Sequence, residues 1–135
     1  MFYDMNCKIF IDTDLELAGF QQRLEKLLTV KFDEYLEAER NALFLRIVNN
    51  KFYDQKKSEC FTEGFLYYKY HLEIECDDVQ LDSRYVNFLS TLLLNLWSSE
   101  GMRAVASCDF EEFLPYQGGY QSFINHRAQV SLMAS

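Results

Sequence analysis

The stretch Phe65-Leu66-Tyr67-Tyr68-Lys69-Tyr70-His71-Leu72-Glu73-Ile74-Glu75-Cys76 carries the clearest alternation in the chain. Leu66, Tyr68, Tyr70, Leu72 and Ile74 fall on one side of an extended strand, and Lys69, His71, Glu73 and Glu75 on the other, because successive strand side chains point to opposite faces. A strand that is apolar on one side and charged on the other belongs to an antiparallel sheet with one face on a core and one face in water.

Working outward, Cys7 to Ile11 is a short apolar run that reads as a first strand, closed by Asp12-Thr13-Asp14. The period then changes: Leu17, Phe20, Leu24, Leu27 and Leu28 recur at helical spacing, and Thr13 with Glu16 three residues on has the spacing of a capping box. Residues 31–41 leave two readings open. Glu34 to Glu39 favours a continued helix, while Lys31-Phe32-Asp33 breaks the apolar stripe and favours a separate turn. Ala42 to Val48 reads as a second strand ended by Asn49-Asn50, and Phe65 to Cys76 as the third. Asp82 or Ser83 can cap a second helix whose Tyr85, Phe88, Leu89, Leu92, Leu96 and Trp97 make a wide apolar stripe, with Gly101 at its C′ position. Met102, Ala104, Ala106, Cys108 and Phe110 are in phase as a fourth strand.

The predicted order is strand, helix, strand, strand, helix, strand. It implies an α+β fold of ferredoxin-like βαββαβ type, a four-stranded antiparallel sheet with two helices on one face. The other face would stay open and could serve a homodimer. One domain is expected over 1–135, with a core of about 5–110 and a C-terminal extension over 111–135.

Composition narrows the function. The 135 residues are 49% hydrophobic and 16% aromatic, enough for one well-filled core. A net charge of −8 argues against nucleic acid as a partner, since that affinity comes mostly from Lys and Arg displacing counterions. It suits a basic protein instead. No apolar run approaches the roughly 20 residues that span a bilayer, and an acid stands where a signal peptide would carry positive charge, so no membrane partner and a cytoplasmic location are expected. Cys7, Cys60, Cys76 and Cys108 form no C-x-x-C pair; Cys7, Cys76 and Cys108 are in phase with apolar neighbours and read as buried reduced thiols.

Catalytic motifs are sparse. Ile9-Phe10-Ile11-Asp12-Thr13-Asp14 resembles the nucleophile motif of haloacid-dehalogenase-type phosphatases, which would make Asp12 the nucleophile and Asp14 the general acid beside Mg²⁺. Leu15-Glu16 follows where that motif wants Thr or Gly, and the antiparallel order does not suit its parallel sheet. A capped helix start accounts for the same residues. His71 beside Glu73 and Glu75 could act as a base or ligand, but a solvated mixed-charge face accounts for it too, and no paired His spacing supports a metal. Gly118-Gly119 could form an anion nest or a tight turn after Pro115. No nucleotide-binding loop is present, so neither a cofactor nor an enzymatic activity is expected.

The remaining signal is acidic and aromatic. Asp109, Glu111 and Glu112 carry three charges within four residues, and Phe113, Tyr116 and Tyr120 follow, a mixture suited to steering and anchoring a basic protein. The runs Leu96-Trp97-Ser98-Ser99-Glu100-Gly101, Ala104-Val105-Ala106-Ser107-Cys108-Asp109-Phe110-Glu111-Glu112 and Leu114-Pro115-Tyr116-Gln117-Gly118-Gly119-Tyr120 together resemble bacterial immunity proteins of polymorphic toxin systems, particularly those of contact-dependent growth inhibition. The likeness covers about the last third of the chain. It implies a small cytoplasmic protein that binds and blocks the toxin domain of a matched effector, a domain that is often a basic nuclease. The contact set expected from charge and placement is Asp109, Glu111, Glu112, Tyr116 and Tyr120, with His71, Glu73 and Glu75 as the alternative face. A small-molecule regulatory module on a ferredoxin-like sheet is the other reading.

Overall fold

The computed structural model describes residues 4–60, 63–76 and 82–119. Five strands form one sheet: β1 (Cys7–Asp12), β2 (Glu37–Arg40), β3 (Leu43–Asn49), β4 (Tyr70–Cys76) and β5 (Arg103–Ser107). They lie in the order β2-β3-β4-β1-β5, and every neighbouring pair is antiparallel. Two helices, α1 (Leu17–Leu28) and α2 (Ser83–Trp97), complete an α+β fold. The count and order differ from the four-stranded sheet expected above.

The additional strand comes from the segment left between helix and turn. Thr29 adopts a left-handed conformation at the end of α1, and its N–H donates to Glu25 O. Asp33 then organises a turn, its Oδ1 accepting from Tyr35 N (2.9 Å) and Glu37 N (3.0 Å). Glu37–Arg40 leaves that turn extended and pairs with β3 through the two-residue loop Asn41-Ala42, both at positive φ. That is the conformation of a type I′ hairpin, so Ala42 belongs to the turn rather than to the strand. The helical preference of Glu37-Ala38-Glu39-Arg40 yields to ladder hydrogen bonds with an already apolar neighbour.

The phase of each strand determines its buried face. Ile9 and Ile11, Leu45 and Ile47, Tyr70, Leu72 and Ile74, and Ala104 and Ala106 share one core with Phe20, Leu24 and Leu28 of α1 and Leu89, Leu92, Leu93 and Leu96 of α2. Phe20 stacks on Tyr70 with ring centroids 4.4 Å apart. Both helices therefore cover the same face. The small Ala104 lets Trp97 approach close enough for its indole N–H to donate to Ala104 O at 2.9 Å.

Three local expectations change. No capping box forms: Glu16 holds the N-cap position of α1 without a side-chain cap, and Thr13 Oγ1 accepts from Leu15 N instead. Asp82 does cap α2, accepting from Tyr85 N at 2.9 Å, but the helix ends at Trp97 and Gly101, at φ +64, sits beyond the C′ position. The third strand begins only at Tyr70, because Gly64–Tyr67 is a 3₁₀ turn, and the fourth ends at Ser107 rather than Phe110.

That 3₁₀ turn covers part of the face predicted to be open. Asn50, nearly buried, donates from Nδ2 to Leu66 O (2.8 Å) and Tyr68 O (2.7 Å) and accepts from Phe52 N through Oδ1 (3.0 Å). Its bonds hold the connection across the sheet. Phe65 and Tyr68 consequently join Phe10 and Val105 in a second, smaller core on the far side of β1 and β5. Leu66, expected to face inward, is exposed there.

Candidate functional site

The end of the far face nearest the start of β1 remains uncovered. Here β1 contributes Lys8, β4 contributes Glu73 and Glu75, and the segment after β5 contributes Cys108 and Asp109. With Asp4, Phe10, Leu66 and Ser107 they line a depression of about 560 Å³. Four carboxylates, from Asp4, Glu73, Glu75 and Asp109, meet one lysine. The two contact sets that the sequence kept apart thus share one concavity through Asp109, Glu73 and Glu75.

The geometry of this acid group is graded. Glu73 is engaged: its Oε1 accepts from Arg46 Nε at 3.0 Å and from Arg46 Nη2, and Lys8 Nζ lies 4.0 Å from Oε2. Glu75 and Asp109 are exposed at the rim. Asp109 Oδ2 also accepts from Asp4 N at 3.1 Å, which ties the segment before β1 to the end of β5. His71 is tucked beneath the charges. Its side chain is only 12% exposed and its ring lies 5.5 Å from Phe10, with neither nitrogen hydrogen-bonded. Burial first, then Lys8 and Arg46, push its pKa below the ordinary 6.5, with Glu73 acting against them. An imidazole kept neutral by its surroundings contributes shape here rather than charge.

The rest of the predicted acidic-aromatic set is dispersed. Glu111 turns back, its Oε1 accepting from Cys108 N at 3.0 Å, and burial raises its carboxyl pKa. It caps the chain where β5 ends. Glu112 is exposed on the 3₁₀ turn Glu111–Phe113 and is not among the residues lining the depression. Tyr116 leans on Trp97 with centroids 5.8 Å apart, beside α2. Tyr120 lies outside the described residues. Phe110, fully buried against Tyr85, and Leu114 anchor this segment to the core. Gly118 and Gly119, at φ +78 and +80, pass against β5; a Cβ on either would come within 2.9 Å of Ala106 O or 2.8 Å of Ala104 O and the Trp97 ring. Only glycine fits that approach.

Asp12 and Asp14 meet a different setting from that of a phosphatase. Asp12 is hydrogen-bonded to its cross-strand partner Arg103, which also lies 3.4 Å from Glu59, and Asp14 is exposed on the loop that follows. Among the described residues no group of three or more His, Cys, Asp or Glu is placed to hold a metal ion, and no helix is long and apolar enough to cross a membrane. A second depression, of about 500 Å³, is lined by Arg40, Arg84, Cys76, Tyr85 and Phe88. Arg40 is already committed there, donating to Leu28 O and lying over the Phe88 ring.

No family model, curated protein or solved structure matches the chain. The functional reading therefore rests on the site's own chemistry and on the resemblance noted in the sequence.

The sequence did not point to Asp4, Lys8 or Leu66 as parts of the site. Lys8 was legible in part, since it is the outward residue of β1. Asp4 and Leu66 were not, because their place depends on the Asp109 hydrogen bond and on the turn held by Asn50.

Proposed function

We propose that this chain is a cytoplasmic immunity protein that binds the basic toxin domain of a matched bacterial effector and neutralises it by lodging the toxin's cationic surface in the acidic depression between β1, β4 and the end of β5. The observation that carries this reading is the convergence of Glu75, Asp109, Asp4 and Glu73 on one concavity with apolar Phe10 and Leu66 in its wall. Acids at the rim steer a basic partner and set its register, and apolar surface beside them slows its release. In a nuclease-like toxin the carboxylates would stand where substrate phosphates bind, and no bond need be broken. Glu111 and Tyr116 leave the contact set on this reading, and the alternative face supplies Glu73 and Glu75. With the hairpin strand β2 set aside, the order β3-β4-β1-β5 and the two helices fit a ferredoxin-like frame to which β2 adds an edge.

The test is co-expression with the toxin domain encoded directly upstream. Co-purification and loss of toxin activity are expected, and the double charge reversal Glu75→Lys with Asp109→Lys should weaken the complex by at least about tenfold while the protein stays folded. A toxin that neither co-purifies nor loses activity overturns the function. Full affinity in the double variant overturns the assigned surface.

A further inference from the structure

β1 and β5 run antiparallel with Lys8 opposite Ser107. One step beyond that last ladder pair stand Cys7 and Cys108, whose thiols lie close enough to act on each other's ionisation. β5 ends at Ser107, so the two are not a ladder pair, but if the spacing of directly opposite residues, with Cα atoms about 4.5–5.5 Å apart, carried on one step, it would set the pair's separation. That lies within the roughly 4.4–6.8 Å that a disulfide bridges without backbone movement. The two thiols are unequal: Cys7 is 4% exposed, while Cys108 is half-buried, and both line the acidic depression. Interaction with Cys7 lowers the Cys108 thiol from its ordinary range, helped by Phe110 N–H and opposed by burial, Glu111 and Asp109. The same interaction, with burial and the charges of Cys108 and Glu111, pushes Cys7 well above that range. A half-buried thiol next to one enclosed in the core divides access as thiol–disulfide exchange requires: Cys108 is the one a reagent reaches first, and Cys7 is held beside it to resolve the adduct.

We propose that Cys7 and Cys108 form a redox-reactive dithiol site that reacts with small organic disulfides carrying no negative charge and closes into a cross-strand disulfide. The Cys108 thiolate attacks one sulfur of R–S–S–R, forming a mixed disulfide and releasing R–S⁻, which takes up a proton. Cys7 then loses its proton to solvent and attacks the Cys108 sulfur, forming the Cys7–Cys108 bond and expelling the second R–S⁻. The organic disulfide is reduced to two thiols and the cysteine pair is oxidised. Charge selects the reagent: Asp4, Glu73, Glu75 and Asp109 outnumber Lys8 and the Arg46 that pairs with Glu73, so the site repels an anionic disulfide and attracts a cationic one.

The experiment uses the chain without any partner, so its outcome is independent of the immunity reading. Wild-type, Cys7→Ala and Cys108→Ala proteins are treated at neutral pH and low salt with cystamine, a dication, or with glutathione disulfide, an anion, and analysed by intact mass and peptide mapping. Wild type should lose the mass of two hydrogens and yield a Cys7–Cys108 crosslink that a reductant reverses. Cys7→Ala should retain a stable mixed disulfide on Cys108, and in Cys108→Ala the Cys7 thiol should react at least about tenfold more slowly. Normalised to a short cysteine peptide, cystamine should react about tenfold faster than glutathione disulfide, a ratio that shrinks with added salt. A crosslink through Cys60 or Cys76, or a wild type carrying stable adducts without crosslinking, overturns the site. Equal normalised rates overturn the substrate class. Should a variant fail to fold by circular dichroism, the wild-type peptide map alone decides the pairing.

Discussion

On the helix-covered face of the sheet, Ile9, Leu45, Leu72 and Ile74 stand side by side on three neighbouring strands and all are fully buried. On the opposite face the same strands present Lys8, Arg46, Glu73 and His71, and the cover is partial, a 3₁₀ turn that closes over Phe10 and Val105 but stops short of the acids. The first face is held chiefly by burial, which is non-directional and large, with a few buried hydrogen bonds such as Trp97 to Ala104 O. The second is held by a few apolar contacts and by charges whose mutual attraction in water is small. Stability and recognition are thereby separated across the thickness of one sheet, so residues on the second face can change without unfolding the first.

Truncation on the covered face offers the strongest way to break this comparison. Leu72→Ala empties a fully enclosed site and should destabilise the protein by about 2–5 kcal/mol in urea denaturation. A loss under about 1 kcal/mol would mean that this face does not carry the fold.

His71 sharpens the comparison from the other side. Its nitrogens are buried without partners, and an unsatisfied buried polar group costs about 1–3 kcal/mol, so His71→Leu should stabilise the protein by about 1 kcal/mol at neutral pH. The sign of its pH dependence follows from its lowered pKa. Below 6.5 the unfolded chain binds the imidazole proton more readily than the folded one, so this contribution to stability is complete above 6.5 and is lost as pH falls toward the lower folded value. Denaturation midpoints of wild type should therefore drop between neutral pH and about pH 5, and those of His71→Leu should drop less. Parallel pH profiles would count against it.

The smallest effect is expected at Glu73. Glu73→Gln removes the carboxylate from the exposed Arg46 pair and should cost under about 1 kcal/mol, still less in high salt. A cost comparable to that of Leu72→Ala would show the charged face to be structural.

Much of the covered face was legible because burial writes a local period. The stripe from Leu17 to Leu28, the Asp82 cap and the alternation from Tyr70 to Ile74 each depend on residues a few positions apart, and all three agree with the structure. The alternation misled only when extended backwards. Tyr68 is buried as its phase suggested, but among Phe10, Phe65 and Val105 on the opposite face, because the chain turns between Gly64 and Tyr70. At the candidate site, Asp109, Glu73 and Glu75 were singled out from charge, whereas Glu111 was read as surface and is a cap. No sequence spacing distinguishes a carboxylate aimed at water from one aimed at a backbone N–H three residues away.

The sequence by itself determined two amphipathic helices, one antiparallel sheet and the side of each core strand that would be buried, since each follows from short-range periodicity and the removal of apolar surface from water. Only the tertiary structure decided that Glu37–Arg40 would pair as a strand, that the turn Gly64–Tyr67 would cover part of the second face, and that Cys7 would come beside Cys108 near Asp4, Glu75 and Asp109. Those outcomes depend on pairings between residues far apart in the chain. Their energies come from the geometry of the assembled sheet, which no local pattern encodes.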